Sequence, residues 1–418
     1  MTTVRIPYGH GGVEVEFPND VTVDVIELAE RDAAADPTGE VRRALAAPIG
    51  GFAWPGRVES VAIAVNDKTR PVPHAHLVPP LLDQLEQSGI GTDAITFHVA
   101  VGGHPPMMPH EFADILPREV VERYRIVSHD ADCADALAVL GTTSRGTPVR
   151  VDRAFAEADL KVVIGTIEPH QFVGFSGGVK SAAIGLAGRP TIEANHSLMT
   201  HPGSRIGDYG SNPARQDIEE IGALIGIDLA VNVILDARRD IVRVLAGDPV
   251  EVMNVGVPLA REFGQVAVDH RYDLVVASPG GHPKDVNVYQ AQKAVASAAQ
   301  IVRPGGTIVL LAACPEGAGS DHYEDWVAKR SSHADVLARF AAERFRVGPH
   351  KAFQLARDAR TARLLVHSEM PDDLVQRLLL EPVDDLQRAV DDALAGLPPV
   401  PRVAVLPHAA TTMPVAAV

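Results

Sequence analysis

Short apolar runs alternate along the chain with longer stretches in which apolar residues recur every three or four positions. The short runs predict buried strands, and the longer stretches predict amphipathic helices. The runs that predict strands most clearly are 58–66, 94–102, 158–167, 272–281 and 305–313. Buried strands that alternate with helices are typical of α/β proteins with parallel sheets. The pattern therefore predicts an α/β fold with mainly parallel, doubly wound-like sheets.

The same pattern predicts where the chain divides. It restarts near residues 265–272, so we predict an N-terminal domain over 1–268 and a C-terminal α/β domain over 269–418. A chain of 418 residues is long enough for two domains with separate cores. Near its start, residues 4–18 alternate around a glycine turn and predict a hairpin, while residues 22–36 have helical periodicity.

Polar clusters follow most of the predicted strands, at the point where each strand ends. The clusters are DKTRP (67–71), GGHPP (102–106), EPHQFVGFSGGVK (168–180) and PGGHPKD (279–285). The carboxyl ends of parallel strands lie at one edge of a sheet, and open α/β sheets bind ligands at that edge. The shared position of these loops therefore predicts an enzyme.

Composition narrows the class of protein. The net charge is 38 − 54 = −16 and no basic tract occurs, so we do not expect a nucleic-acid partner. No apolar run approaches the roughly 20 residues that a membrane span needs, and no secretory signal opens the chain. The two cysteines, Cys133 and Cys314, are too few for a disulfide framework. We therefore expect a cytoplasmic protein without a membrane partner.

Two histidines lie in the loops that follow the predicted strands 94–102 and 158–167. They are His104, in VGGHPP, and His170, in IEPHQF. One interpretation is that both are ordinary surface histidines. The other is that they face one substrate, because two imidazoles that titrate near neutral pH can exchange acid and base roles.

The stretch 174–181 resembles a phosphate-binding loop but lacks one glycine. In the pattern G-x-x-x-x-G-K-[ST], Val179 stands where backbone must approach phosphate closely. Gly177 and Gly178 still precede Lys180, and glycine lets a neighbouring group approach the backbone. An ordinary strand-to-helix turn and a lysine packed against a ligand are both consistent with this stretch.

His196 lies on the helix predicted after this turn, although a lone helical histidine is more often structural. No H-x-x-x-H occurs inside a predicted helix, and no H-E-x-x-H occurs anywhere in the chain. The sequence therefore specifies no self-contained zinc site, and a metal would need ligands from elsewhere.

Cationic and amide side chains near these loops suit an anionic substrate. Arg70 follows a predicted strand and precedes a proline, a stiff setting for a guanidinium that grips a carboxylate. Tyr289, Gln290 and Lys293 begin the helix after 279–285, and helix N-termini attract anions. A solvated surface cation is the alternative for both Arg70 and Lys293.

Together these stretches resemble the nickel-pincer nucleotide-dependent lactate racemase family. The resemblance rests on IEPHQFVGFSGGVKSAA and TIEANHS, with NDKTRP, GGHP and YQAQKA, and it spans most of the chain. It implies a two-domain α/β enzyme that racemises or epimerises a 2-hydroxy acid, with the active site expected in the cleft between the domains. The implied cofactor is a nickel-pincer nucleotide, pyridinium-3,5-bis-thiocarboxylic acid mononucleotide nickel. Proteins that synthesise the cofactor would act upstream. The sequence leaves open whether the protein is a monomer or a homodimer.

The resemblance implies roles for residues around the cofactor. Lys180 matches a lysine that is attached to the cofactor through a thioamide in some members, and His196 matches the protein's ligand to nickel. Asp67 falls where the family binds the nucleotide portion, and Phe172 resembles an aromatic residue packed on the pyridine ring. The glycines expected beside the cofactor are Gly177 and Gly178.

It also implies roles on the substrate side. His104 and His170 match the paired acid/base residues, one of which removes the hydroxyl proton while the α-hydrogen leaves as hydride to the cofactor ring. The 2-keto acid then rotates and takes hydride back on its other face. The residues that match the substrate-holding set are Arg70, Tyr289, Gln290 and Lys293.

Three positions depart from the family pattern and put lactate itself in doubt as the substrate: Pro105, Ile184 and Phe353. A nicotinamide-dependent 2-hydroxy-acid dehydrogenase is the alternative enzyme. It should carry G-x-G-x-x-G with an acidic residue roughly 20 positions later, and no such fingerprint occurs. A non-catalytic nickel-nucleotide carrier is the alternative outside enzymes, but it would not require His104 and His170.

Overall fold

The computed structural model describes residues 1–28, 32–70, 72–236, 238–343, 345–346 and 348–416. The chain forms two compact units. One holds Met1–Ala29 together with Gly264–Val418, and the other holds Glu30–Phe263. In the described part of the chain, no helix has the length and apolar character needed to cross a membrane.

The strands are β1 (Thr2–Tyr8), β2 (Gly11–Phe17), β3 (Thr22–Val25), β4 (Val61–Asn66), β5 (Ile95–Ala100), β6 (Arg125–Ser128), β7 (Leu137–Thr142), β8 (Pro148–Asp152), β9 (Leu160–Thr166), β10 (Pro169–His170), β11 (Gly174–Phe175), β12 (Leu229–Leu235), β13 (Ile241–Gly247), β14 (Gln265–Val268), β15 (Tyr272–Ala277), β16 (Val302–Leu311), β17 (Arg363–His367), β18 (Glu381–Pro382), β19 (Arg402–Leu406) and β20 (Met413–Ala416).

The helices are α1 (Pro37–Ala46), α2 (His74–Gln87), α3 (Arg118–Arg123), α4 (Arg153–Ala156), α5 (Lys180–Ala183), α6 (Arg189–Ser197), α7 (Pro213–Ile225), α8 (Pro249–Gly264), α9 (Val288–Ile301), α10 (Asp321–Val327), α11 (His333–Ala342), α12 (Pro349–Ala359), α13 (Asp372–Arg377) and α14 (Leu386–Ala395). Short 3₁₀ helices lie at Thr92–Ala94, Pro109–Asp114, Ala134–Ala136 and Leu198–Thr200.

The unit formed by Glu30–Phe263 is built on a six-stranded sheet in the order β13-β12-β9-β4-β5-β6. Neighbouring strands are parallel except for the antiparallel pair β12 and β13. The inner strands are apolar on both faces because both faces are buried, and the first five residues of β4 are all buried.

The arrangement of β9, β4 and β5 positions the candidate site. These strands are adjacent and parallel, so their carboxyl ends lie side by side at one edge of the sheet. The turns that follow them begin at Asp67, Val101 and Ile167. Three of the polar loops singled out in the sequence therefore start from neighbouring positions.

The unit formed by Met1–Ala29 and Gly264–Val418 contains a second six-stranded sheet, in the order β18-β17-β16-β15-β19-β3. All its neighbouring strands are parallel. The antiparallel hairpin β1–β2 belongs to the same unit, and its residues Ile6 and Phe17 share a core with Leu274 and Val309. Strands β14 and β20 form a further parallel pair.

The predicted α/β class with mainly parallel sheets in two domains is confirmed, and so is the predicted N-terminal hairpin. The division of the chain differs from the continuous domains 1–268 and 269–418. Residues 1–29 group with 264–418 because β3 pairs with β19 and the hairpin side chains are buried in that unit's core.

The helix predicted over residues 22–36 is wrong, since Thr22–Val25 form strand β3 and the described residues 26–28 and 32–36 are not helical. Residues 29–31 of that prediction lie outside the described residues. A parallel partner, β19, overrides the local helical periodicity of this segment.

Candidate functional site

The turn after β4 brings Asp67 and His104 together. His104, in the turn after the neighbouring strand β5, places its Nδ1 2.7 Å from Oδ2 of Asp67. Thr69 donates its hydroxyl to Oδ1 of the same carboxylate at 2.7 Å, and the backbone N–H of Arg70 donates to the Asp67 carbonyl at 3.0 Å. The side chain of Asp67 is 5% exposed and that of His104 is 46% exposed. A buried carboxylate thus orients an accessible imidazole.

This pairing determines which nitrogen of His104 is basic. Burial alone would raise the pKa of Asp67, but hydrogen bonds from His104 and Thr69 and the charge of Arg70 hold that pKa below its usual value. The carboxylate is therefore ionised at neutral pH and accepts the Nδ1 proton of His104. In the neutral ring, Nε2 then carries the lone pair and can accept a proton. The sequence predicted that Asp67 contacts the nucleotide, and it did not predict the hydrogen bond between Asp67 and His104.

His170 and His196 both contact the ring of Phe172. The ring centroids of His170 and Phe172 are 5.0 Å apart at 74°, and those of Phe172 and His196 are 5.0 Å apart at 66°. The antiparallel pairing of β10 with β11 folds this stretch back on itself and buries Phe172, which is 5% exposed. Edge-to-face contacts of this kind fix the orientation of all three rings.

A buried arginine clamps the glycine turn that precedes Lys180. Arg215, on α7, has no exposed surface and donates from Nη1 to the carbonyls of Phe175 and Gly177, at 3.0 and 3.1 Å. Its Nε donates to Glu219 at 2.8 Å. One guanidinium therefore satisfies two carbonyls of the turn and keeps an acidic partner. The sequence did not reveal this role, because an Arg and a Glu four residues apart are typical of a helix surface.

The two glycines beside Lys180 are required by the turn itself. Gly177 and Gly178 have φ values of 93° and 58°. A Cβ on Gly177 would lie 2.7 Å from Ile167, and a Cβ on Gly178 would lie 2.6 Å from Met253. Protein side chains thus fill the space that a Cβ at either position would need. The contact of Gly177 and Gly178 with the cofactor stays a prediction. The glycines contribute to the site by directing the first turn of α5.

Lys180 begins α5 in surroundings that disfavour its charged form. Burial and the positive charges of Arg70 and Arg215 lower the pKa of Lys180 from 10.5 to about 7, against the opposing effect of Glu168. A large fraction of Nζ is therefore a neutral amine at neutral pH. A neutral amine is a nucleophile, whereas an ordinary surface lysine is almost wholly protonated there.

His196, on α6, remains neutral over the physiological pH range. Burial and the charge of Lys180 lower the pKa of His196 to about 3, with a further contribution from Arg70 and an opposing backbone hydrogen bond to Ile192. A neutral imidazole can offer a lone pair to a metal ion. The charge of Arg70 lowers the pKa of both Lys180 and His196, and the charge of Lys180 lowers the pKa of His196, so these three side chains lie within electrostatic reach of one another.

Protein side chains alone do not form a complete metal site here. Within the described ranges, no group of three or more His, Cys, Asp or Glu could hold a metal ion. A metal bound beside His196 would therefore take most of its donors from a bound group.

The remaining predicted residues share one end of one helix. Tyr289, Gln290 and Lys293 lie in the first two turns of α9, in the unit that contains Gly264–Val418. Asn287 caps this helix by accepting the Gln290 N–H at 3.0 Å. Lys293 Nζ donates to Oε1 of Gln290 at 3.0 Å.

The positions that depart from the family pattern have ordinary environments. Pro105 is exposed, and Ile184 is 8% exposed. Phe353 is 7% exposed and stacks on Phe340, with ring centroids 4.8 Å apart at 24°. Phe353 thus belongs to a packed aromatic cluster of its unit.

Comparison with known proteins identifies the family. A model of the lactate racemase N-terminal domain matches residues 8–207, and a model of the lactate racemase C-terminal domain matches residues 268–413. A lactate racemase of Lactiplantibacillus plantarum is 30% identical over 360 residues, covering 83% of this chain and 83% of that protein. The chain belongs to the lactate racemase family. The resemblance seen in the sequence is confirmed.

A second lactate racemase and two solved structures are also similar to this chain. The lactate racemase of Thermoanaerobacterium thermosaccharolyticum is 29% identical over 344 residues, 81% of this chain and 80% of that protein. The structure of the lactate racemase apoprotein from the same organism matches with a TM-score of 0.90 at 26% identity, covering 99% of this chain and 100% of that one. A Thermotoga maritima protein, 17% identical over 93% of this chain and 100% of its own, shares the fold with a TM-score of 0.68.

Family membership establishes the reaction class. The relatives are lactate racemases, so this family member is an isomerase that acts as a racemase. Membership also implies a nickel-dependent cofactor.

Proposed function

We propose that this member of the lactate racemase family interconverts the stereoisomers of a 2-hydroxy acid and binds a nickel-pincer nucleotide in the unit Glu30–Phe263. One observation supports the proposal: contacts and electrostatic interactions form a continuous series between the two histidines proposed as acid/base residues. The members in order are His104, Asp67, Arg70, Lys180, His196, Phe172 and His170. The residues assigned to the cofactor lie in the middle of this series.

The side chains fit a group that brings its own metal donors. Neutral His196 would supply one nitrogen, and a nickel ion that arrived with soft sulfur donors of its own would need little more from the protein. Lys180, with its pKa of about 7, offers an amine able to bond covalently to a carboxyl-derived group. Arg70 supplies positive charge for an anionic ligand.

The chain's own histidines move the hydroxyl proton of the substrate. When bound, the nucleotide would take the α-hydrogen as hydride and return it to either face of the resulting 2-keto acid. Asp67 accepts Nδ1–H of His104 and leaves Nε2 as a base. The backbone N–H of Val173 donates to Nδ1 of His170 at 3.5 Å, so the neutral His170 ring carries its proton on Nε2. Neutral His104 would accept the hydroxyl proton at Nε2 and become an imidazolium. A neutral imidazole N–H is too weak an acid for the reverse step, so the histidine that returns a proton to the opposite face must act as an imidazolium, and the two rings exchange protonation states in each turnover.

Arg70 is proposed to hold the substrate carboxylate, because its guanidinium can bond both oxygens at once. Tyr289, Gln290 and Lys293 are proposed as further substrate-binding residues, since they cluster at a helix N-terminus, where anions are favoured. The relatives are lactate racemases, so lactate is the first substrate to test. Longer, aromatic or sugar-derived 2-hydroxy acids are the substrates to test next. The proposal also implies that the proteins that make the nucleotide act upstream.

The test is racemisation by protein loaded with the cofactor. Enantiopure 2-hydroxy acids are incubated with the loaded protein, and both stereoisomers are quantified by chiral chromatography. We expect exchange between stereoisomers without net oxidation. His104→Ala and His170→Ala should abolish exchange while nickel content is retained, and His110→Ala, which alters an exposed histidine of the same unit, should not.

Two outcomes would favour the alternatives. Net oxidation to a 2-keto acid that depends on added nicotinamide nucleotide would favour the dehydrogenase. Full nickel loading without exchange of any hydroxy acid in the panel would favour the nickel-nucleotide carrier.

A further inference from the structure

The hydroxyl of Tyr289 has a histidine beside it that the sequence did not single out. His350 lies at the start of α12, which packs against α9. Its Nε2 is 3.4 Å from the Tyr289 hydroxyl, and the two rings meet edge to face with centroids 5.7 Å apart at 85°. The contact joins the imidazole edge to the polar end of the phenol.

A backbone group determines where the proton of His350 lies. The N–H of Gly348 donates to Nδ1 of His350 at 3.1 Å. A backbone N–H can only donate, so Nδ1 must carry a lone pair. In the neutral imidazole the single ring proton then lies on Nε2, the nitrogen that faces Tyr289. His350 therefore donates and the phenol oxygen accepts.

The direction of this N–H is fixed by the main chain. Gly348 has a φ of 103°, which side chains rarely tolerate. A Cβ at Gly348 would also lie 2.8 Å from Cβ of His322. The N–H that selects the His350 tautomer thus belongs to a backbone position that only glycine fits.

We propose that His350 is a positioning residue that directs the phenol proton of Tyr289 toward a carboxylate oxygen of the substrate. A phenol oxygen that accepts a hydrogen bond from one partner still has its own proton to donate to another. Hydrogen bonds in such a chain polarise and strengthen one another. This inference rests on the proposed function, in which Tyr289 binds the substrate.

A second contact holds the ring of Tyr289. Nζ of Lys351, the residue after His350, lies 4.7 Å from the centroid of the Tyr289 ring and donates to Oε1 of Gln292 at 3.3 Å. Lys351 is only 6% exposed, so this cation–π contact is shielded from water. The start of α12 therefore constrains both the face and the hydroxyl of Tyr289.

Steady-state kinetics of the cofactor-loaded protein test the proposal. His350→Ala should raise KM for the hydroxy acid about three- to tenfold, the effect of one lost hydrogen bond, and leave kcat within about twofold. His350→Gln, whose amide nitrogen can stand near the position of Nε2, should recover most of the loss. His333→Gln is the matched control, because His333 bonds a backbone carbonyl, that of Leu379, at 2.8 Å in the same unit.

A double-variant cycle separates positioning from general structural support. If His350 acts through Tyr289, Tyr289→Phe combined with His350→Ala should be no worse than Tyr289→Phe alone. Effects on KM that multiply would overturn the proposal, and so would an unchanged KM in His350→Ala.

The tautomer of His350 can be determined by NMR in the absence of substrate. In protein with ¹⁵N-labelled histidine, the resonance lost in His350→Ala should be that of an imidazole protonated on Nε2. A ring protonated on Nδ1 would overturn the inference even if the variants fold poorly. Failure of the wild-type protein to racemise any hydroxy acid would instead count against the proposed function.

Discussion

Oδ2 of Asp67 accepts a hydrogen bond from Nδ1 of His104 at 2.7 Å and so determines which imidazole nitrogen is free to act as a base. The two residues follow neighbouring parallel strands, β4 and β5, so the sheet itself supports their spacing. Thr69 holds the other carboxylate oxygen at 2.7 Å. The histidine proposed as an acid/base residue in this turn is therefore oriented by a buried carboxylate.

Asp67→Asn should lower racemisation by about 10²-fold, because an amide no longer stabilises the imidazolium or enforces the required tautomer. The measurement is kcat/KM by chiral chromatography, with nickel content determined on the same samples. Glu111→Gln, which removes a carboxylate paired with Lys68 on the surface, is the control. Loss of nickel with normal turnover per nickel would instead assign Asp67 to nucleotide binding, as the sequence suggested.

Lys180 should react with amine-selective reagents near neutral pH. Its pKa is lowered to about 7, so raising the pH through that value converts Nζ from ammonium to amine. Mass spectrometry of the cofactor-free protein after brief acetylation at a series of pH values should give a midpoint near 7. Lys68 is the comparison, since its hydrogen bond to Glu111 raises its pKa. A shared midpoint for the two lysines would contradict the prediction.

Lys180→Met should stabilise the cofactor-free protein, and the gain should depend on pH. The folded-state pKa of about 7 lies below the ordinary 10.5, so between these values the unfolded chain binds more protons and the free energy of unfolding rises with pH. The advantage of the variant should be about 2–3 kcal/mol near pH 6, after allowance for partial exposure, and should shrink toward pH 10. Urea unfolding of both proteins at several pH values measures this difference in the free energy of unfolding. A constant difference would be inconsistent with a titrating lysine.

His196→Ala should lose nickel from the purified holoprotein. The pKa of His196 is lowered to about 3, so protons compete poorly with a metal at this imidazole and nickel in the wild type should persist into mildly acidic buffer. Metal analysis by mass spectrometry measures both effects. His201→Ala changes an exposed histidine close by and should retain the metal. Equal nickel in the two variants would remove His196 from the metal site.

Asp152→Asn should lower the free energy of unfolding by about 3 kcal/mol, because it leaves a buried polar cluster without its charge. Nδ1 of His98 and Nδ1 of His129 lie 3.3 and 3.6 Å from the Asp152 carboxylate. Burial would raise the pKa of Asp152, but the nearby imidazoles of His129 and His98 and a hydrogen bond from the Phe155 N–H hold that pKa far below the ordinary 3.8. This stability is therefore present above about pH 4 and is lost as the pH falls further. Denaturant unfolding checks it, with exposed Asp93→Asn as the control.

The parallel strands were predictable because burial on both faces leaves a continuous apolar run, as in the first five residues of β4. Strand β3 was not. Its Thr22 pairs with Arg402, which is 402 − 22 = 380 positions later, and no local pattern records such a partner. The division of the chain at its N-terminal end was missed for the same reason.

Residues of the candidate site could be proposed from the sequence where the residue type and its position in a loop were enough to single them out. His104, His170, Lys180 and His196 stand out because chemically active side chains follow apolar runs, and the fold links them in one unit. Contacts that depend on distant segments could not be predicted. Arg215, for example, looks like a surface residue until the fold buries it beneath the glycine turn.

The pairing of β3 with β19 has a consequence for the order of events during synthesis. Residues Glu30–Phe263 form a compact unit that can close once it has left the ribosome. The N-terminal hairpin and β3 emerge earlier but lack their sheet until Arg402–Leu406 has been made. The apolar side chains of Ile6 and Phe17 therefore stay exposed to chaperones and proteases until that distant strand has been translated.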